Sequence, residues 1–238
     1  MKKLTDFKVL TFDVVGTLIN FEKGVLESIR RLGGEAARTL TDDQIFEPYI
    51  RGRATYPGRS SHAMASVYQS LAVELGLPAD PQTAAAFQRD VLDWPAFDDS
   101  VAALQRLRRH FRLVAMTNAD RVALSAYAHT LGDPFDDSVT ADETGVAKPD
   151  PQFFAYNRGR QSAFGYKFGD ILHVAQSQYH DIGVARELGY TVCWIERRQG
   201  LQGFGATPIP ARVTTPDFRF ATLKALADAV EAEEQVAA

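Results

Sequence analysis

Short apolar runs rich in β-branched residues alternate along this chain with stretches whose apolar positions recur at helical spacing. Lys8–Val14 (KVLTFDV), Phe111–Met116 (FRLVAM), Ile171–Ala175 (ILHVA) and Thr191–Ile195 (TVCWI) are nearly continuous apolar runs, and they predict strands buried on both faces. Between them, Ser100–His110, Val122–Leu131, Pro151–Ala163 and Asp181–Leu188 predict helices. The alternation predicts an α/β fold, a parallel sheet with helices on both faces. Ligands of such sheets bind outside the carboxyl ends of the strands. Asp13, Thr117 and the segment Gln176–Asp181 are therefore expected to converge, although they lie far apart in sequence.

One stretch breaks the alternation. From Phe21 to Asp93 the patterns are helical and no strand is evident. Val25–Leu40 is amphipathic, Thr41-Asp42-Asp43-Gln44 has the form of a capping box, and Ala63–Leu75 carries helix-period apolar residues. Trp94-Pro95 marks the return to the alternating pattern. The expected organisation is a Rossmann-like α/β core of residues 1–20 and 94–238, with an all-helical cap, 21–93, inserted after the first strand. Residues Glu231–Ala238 are expected to be a fraying helix end.

Composition narrows the class. The 238 residues are 45% hydrophobic and 24% charged, within the range of one globular chain. The net charge of −4 offers no basic excess for nucleic acid or an anionic membrane. A single cysteine, Cys193, rules out an internal disulfide framework and suits a reducing cytoplasm. Asp6, Lys8 and Asp13 interrupt the apolar stretch after Met1-Lys2-Lys3, so no signal-peptide core is expected. No run approaches the ~18 apolar residues of a membrane span. The expectation is a soluble, cytoplasmic protein.

Four segments have side chains suited to chemistry. Asp13, at the end of a buried strand before Gly16-Thr17, would meet strand-end N–H groups that favour an ionised, nucleophilic carboxylate. Thr117 and Asn118 end the second strand, where a hydroxyl and an amide can hold an anion. Lys148, followed by Pro149 in a loop, is placed to pair with Asp13 and stabilise developing negative charge. Asp181 follows the strand Ile171–Ala175 near a helix start. Each segment alone also fits an ordinary turn or helix cap; their order and placement together point to a site.

In that order the four segments resemble the motifs of the haloacid dehalogenase superfamily: nucleophilic Asp with Thr, then Ser/Thr, then Lys, then an acidic loop. The resemblance runs from Phe7 to about Val230 and places the helical insertion where that superfamily carries one type of cap. It implies that Asp13, Thr17, Thr117, Lys148 and Asp181 are catalytic. Magnesium-dependent phosphatases of the superfamily have an Asp two residues after the nucleophile, where Val15 stands here, and a further acidic residue where Gln176 stands. Val15 cannot move a proton, and Asp13 with Asp181 is a thin ligand set for Mg²⁺, with Asp142 and Glu143 the nearest supplements.

The L-2-haloacid dehalogenase branch also lacks the second Asp. Similarity to it implies hydrolysis at the α-carbon of a small 2-substituted carboxylate through an aspartyl ester, with no cofactor expected and with Val15, Asn118, Gln178, His180 and a cap arginine, Arg51 or Arg53, contacting substrate. Should a metal bind, Asp13 and Asp181 would hold it. The chain departs from that branch at Gln176 and Gln178, where Ser and Asn are expected, and at Phe154, where a Tyr is expected six residues after the Lys; Tyr156 and Tyr179 are the alternatives. Three other readings stay open: a Mg²⁺-dependent phosphatase with His180 as replacement acid, a ring-opening hydrolase of a strained cyclic 2-carboxylate, and a non-catalytic binding protein. A homodimer is compatible with all of them.

Overall fold

The computed structural model describes residues 2–56 and 60–237; Met1, 57–59 and Ala238 lie outside the described residues. Six parallel strands form one sheet in the order β3-β2-β1-β4-β5-β6: β1 Val9–Phe12, β2 Arg112–Thr117, β3 Asp137–Thr140, β4 Ile171–Ala175, β5 Thr191–Ile195 and β6 Phe218–Phe220. The four strands expected from the apolar runs are present. They are nearly continuously buried, as a sheet covered on both faces requires. The two edge strands, β3 and β6, escape sequence patterning because they are short and only partly buried. Helices α5 (Ser100–Leu107), α6 (Arg121–Thr130), α7 (Ala141–Thr144), α8 (Pro151–Ala163), α9 (Gly183–Glu187) and α10 (Leu223–Ala237) complete the α/β portion.

Among the described residues between β1 and α5 lie four α-helices and no strand of the sheet: α1 (Phe21–Arg38), α2 (Asp42–Thr55), α3 (Ser60–Leu75) and α4 (Pro81–Asp90). The predicted capping box is formed, with Gln44 N–H donating to Thr41 Oγ1 at 3.3 Å and Thr41 N–H to Gln44 Oε1 at 2.8 Å. The amphipathic run expected to continue to Leu40 is instead broken at Gly34, whose φ of +61° is open to glycine and strained for other residues. Buried Tyr68 and Phe87 pack α3 on α4, with ring centroids 5.2 Å apart.

Two contacts fasten this helical segment to the sheet. Trp94 packs against α1 at Gly24, where a Cβ would come within 2.2 Å of the indole. Glu22, in the first turn of α1, accepts hydrogen bonds from Arg198 at 2.6 Å and from the Ala206 N–H at 2.8 Å. The long β5–β6 connection is thereby held against the root of the helical segment. No helix among the described residues is long and apolar enough to cross a membrane.

Candidate active site

Parallel register brings the carboxyl ends of β1, β2 and β4 side by side, with Phe12 opposite both Ala115 and Val174. Asp13, the residue after β1, donates its N–H to the Val174 carbonyl and leaves the sheet level with Met116 and Ala175, one residue short of Thr117 and Gln176. The following turn needs Gly16 at φ +101°. The turn folds Thr17 back, and its hydroxyl donates to Asp13 Oδ2 at 2.6 Å while accepting from the Gln176 N–H at 2.8 Å. Thr17 thus joins the ends of β1 and β4.

Lys148 is the hub of the site. Its buried ammonium donates to Asp13 Oδ1 at 2.9 Å, to Asp181 Oδ1 at 2.7 Å and to the Met116 carbonyl at 2.8 Å, which satisfies all three protons. The loop carrying it is fixed by Asn118, whose side chain accepts from the Lys148 N–H at 2.7 Å and donates to its carbonyl at 2.8 Å. Burial disfavours the charge on Lys148, but Asp13 and Asp181 outweigh it and raise its pKa. Burial likewise opposes ionisation of Asp181, yet the Lys148 ammonium and His173 hold it down at about 2. Burial pushes Asp13 above the ordinary carboxylate range and Asp181 adds to the rise, against the pull of Lys148 and Thr17. The site is a buried triad of two carboxylates about one ammonium.

A cavity of about 560 Å³ opens above this triad, between the strand ends and the helical segment. Asp13, Thr117, Lys148 and Asp181 form its floor, while Phe21, Tyr49, Ile50, Arg53, Met64 and Trp94 come from the helical side. Thr117 Oγ1 accepts the Ala119 N–H at 3.1 Å, which leaves its proton to donate into the cavity. Val15 contributes an apolar wall beside Asp13. His180 also lines the cavity; burial, reinforced by Lys148 and Arg53 and opposed by Asp181, lowers its pKa to about 4.

Not every expected site residue faces this cavity. Arg53 lines it, and among the described residues no carboxylate pairs with it. Arg51 instead pairs with Glu74 on α3. Gln178 is buried and its amide is committed to the backbone of Thr214, so it braces the β5–β6 connection. Asn118 borders the cavity, but its amide carbonyl and one amide proton serve the Lys148 loop. Tyr179 reaches the cavity; half-exposed Tyr156 and buried Phe154 do not line it. Asp181 sits inside a π-helical turn, Gln178–Ile182, rather than at the start of an α-helix, with Ile182 N–H bonded to the Ser177 carbonyl.

Asp13 and Asp181 are a thin donor set for a magnesium ion: Lys148 holds Oδ1 of each and Thr17 holds Oδ2 of Asp13, so among the described residues only Asp181 Oδ2 is left without a donor. Glu143 pairs with Arg121 and Asp142 accepts the Arg121 N–H, and neither lines the cavity. No group of three or more His, Cys, Asp or Glu side chains able to hold a metal occurs among the described residues. His173, Tyr49 and the Ala206–Pro208 edge of the cavity are not marked by any motif in the sequence. A histidine within the apolar run ILHVA was the available signal for the first; the other two depend on tertiary packing.

A parallel α/β sheet with a carboxylate at the end of its central strand, braced by lysine, defines a hydrolase-type site. The chain belongs to the haloacid dehalogenase-like hydrolases, whose family model matches residues 7–189. It is 25% identical over 232 residues to haloacetate dehalogenase H-2 of Moraxella sp. (strain B), covering 95% of this chain and 97% of that one. It is 24% identical over 195 residues to an (S)-2-haloacid dehalogenase of Pseudomonas fluorescens, covering 79% and 84%. The fold superposes with a TM-score of 0.68 on L-2-haloacid dehalogenase from Xanthobacter autotrophicus with chloropropionic acid covalently bound, at 20% identity and covering 94% and 98% of the two chains.

Proposed function

We propose that this protein hydrolyses the carbon–halogen bond of a small (S)-2-halocarboxylate in the cytoplasm, through a covalent ester on Asp13. One observation carries the reading. The Lys148 ammonium bridges Asp13 and Asp181, and Val15 stands where a phosphatase acid would be. That arrangement supports a nucleophilic carboxylate and offers no proton to a departing alcohol. Halide leaves without a proton, so the chemistry does not need one.

In the first step a carboxylate oxygen of Asp13 attacks C2, the C–X bond breaks with its electron pair on halide, and an ester forms. Arg53 on the helical side and the Thr117 hydroxyl bind the substrate carboxylate. The triad carries one net negative charge, so Arg53 also offsets the repulsion an anionic substrate would meet. In the second step water attacks the Asp13 carbonyl carbon while Asp181 takes one water proton. The acyl C–O bond then breaks, and that proton passes to the departing 2-hydroxy acid. The other water proton stays on the Asp13 carboxyl and is lost to solvent, restoring the nucleophile. The relatives named as haloacetate and (S)-2-haloacid dehalogenases support the substrate class.

A phosphatase with His180 as replacement acid is disfavoured, because a histidine with a pKa of about 4 is neutral at physiological pH. The test is halide release from (S)-2-chloropropionate with and without EDTA, beside a generic aryl phosphate. Halide release that survives chelation is expected. Phosphate release that requires Mg²⁺, without halide release, would replace this reading.

A further inference from the structure

His173 is a buried ionisable side chain that the reaction above does not use. It lies in the middle of β4, fully buried, in a run that is otherwise apolar. One ring nitrogen, Nε2, is 3.1 Å from Asp181 Oδ1 and the other, Nδ1, is 2.9 Å from Thr11 Oγ1 on β1. A carboxylate only accepts, so Nε2 carries a proton and donates it to Asp181, while Nδ1 pairs with the Thr11 hydroxyl, which can donate or accept. Thr11 and His173 are register partners on neighbouring strands, which fixes the ring from the sheet itself. Phe154 packs edge-on against the same ring, centroids 5.5 Å apart. Phe154 occupies the position where the resemblance implied a tyrosine, so the apolar ring there and the imidazole at 173 form one unit in this chain.

The consequence falls on Asp181. Its Oδ1 accepts from both Lys148 and His173, while Oδ2 is buried with no hydrogen-bond partner among the described residues, on a side chain that lines the cavity. A buried carboxylate oxygen left without a donor is costly, and such an atom points to a role with a molecule that enters the site. Lys148 alone, held by three acceptors, would constrain Asp181 at one point and leave its carboxylate free to rotate about that contact. A second donor on the same oxygen removes that freedom.

Resting on the dehalogenase reading, we infer that His173 is a positioning residue for the hydrolytic half-reaction: it locks Asp181 so that Oδ2 takes the proton of the water attacking the Asp13 ester. Ester formation, which uses Asp13 and not Oδ2 of Asp181, does not depend on it. The alkylation and hydrolysis steps are therefore separable by substitution at 173.

The test is rapid-quench halide release from (S)-2-chloropropionate, with mass analysis of the Asp13 peptide. For His173→Phe the expected result is a burst of about one halide per site, steady turnover slowed about tenfold or more, and accumulated ester on Asp13, the scale set by loss of one hydrogen bond to a charged group. His173→Gln, which keeps an N–H donor, is expected to recover turnover to within about threefold of wild type by the same scale. Thr11→Val keeps the imidazole and removes only its anchor; it should shift the same ratio less far, and it serves if His173→Phe does not fold. Equal slowing of both steps, or a Gln variant as slow as Phe, overturns the inference while leaving the dehalogenase reading intact. A wild-type protein that releases no halide overturns both.

Discussion

Arg51 and Arg53, two positions apart on α2, point to different faces of that helix: Arg51 pairs with Glu74, and Arg53 lines the cavity above Asp13. Two residues advance a helix by roughly 200°, so one turn cannot place both side chains at the same site. Arg53 also lies near buried Tyr49, whose pKa burial raises against the opposing charge of Arg53.

Arg53→Ala should therefore raise KM for a 2-halocarboxylate by about tenfold or more, as expected for loss of a charge-assisted hydrogen bond to the substrate. Arg51→Ala breaks a surface pair and should change kcat/KM by less than about threefold. Steady-state kinetics on the two variants separate these outcomes, and the reverse ranking would remove Arg53 from the site.

Asp13→Asn should lower turnover by several orders of magnitude, because an amide does not form the ester. The fold should survive, since Lys148 keeps Asp181 and the Met116 carbonyl. Halide release and a thermal melt test the two halves of this statement.

Lys148→Met should damage the fold as well as the reaction. It leaves two buried carboxylates without their shared counter-charge, an arrangement that costs about 3–5 kcal/mol when a buried pair is broken. Urea unfolding should show the loss, and the loss should shrink at low pH as the carboxylates become protonated.

His180 makes stability depend on pH in a stated window. Its folded pKa, about 4, lies below the ordinary 6.5, so the unfolded chain binds the proton first on acidification. The stabilisation is present above pH 6.5 and is lost as pH falls through 4. Urea midpoints between pH 7.5 and 4.5 should fall for wild type and flatten for His180→Phe.

Water should attack the Asp13 carbonyl and not the substrate carbon. A single turnover in ¹⁸O-water, with enzyme in excess, should leave the label on the Asp13 peptide and the hydroxy acid unlabelled. Label found in the product alone would mean direct attack by an activated water.

Much of this architecture was legible in the sequence because it rests on local chemistry. Continuous apolar runs specify the central strands, Asp13 and Thr117 follow from where those runs end, and Lys148 follows from its place before Pro149 in a loop. Helix phase separates Arg53 from Arg51, but sequence alone does not say which face of α2 meets the cavity. Gln178 stands in the fourth motif, yet its role depends on the β5–β6 connection approaching from 36 residues away. Strands β3 and β6 gain their pairing from neighbours rather than from their own composition. The π-helical turn around Asp181 arises because the Ser177 carbonyl is reached by Ile182, one residue beyond α-helical spacing, which no residue pattern announces.

Glu22 constrains how a substrate can enter. It belongs to the helical segment but grips Arg198 and the Ala206 N–H of the β5–β6 connection, whose Ala206–Pro208 edge borders the cavity. A rigid swing of all four helices away from the sheet would tear both bonds and strand a carboxylate. The cavity is therefore framed on that side by the helical segment and the β5–β6 connection together, and any separation of the two begins with the loss of those bonds.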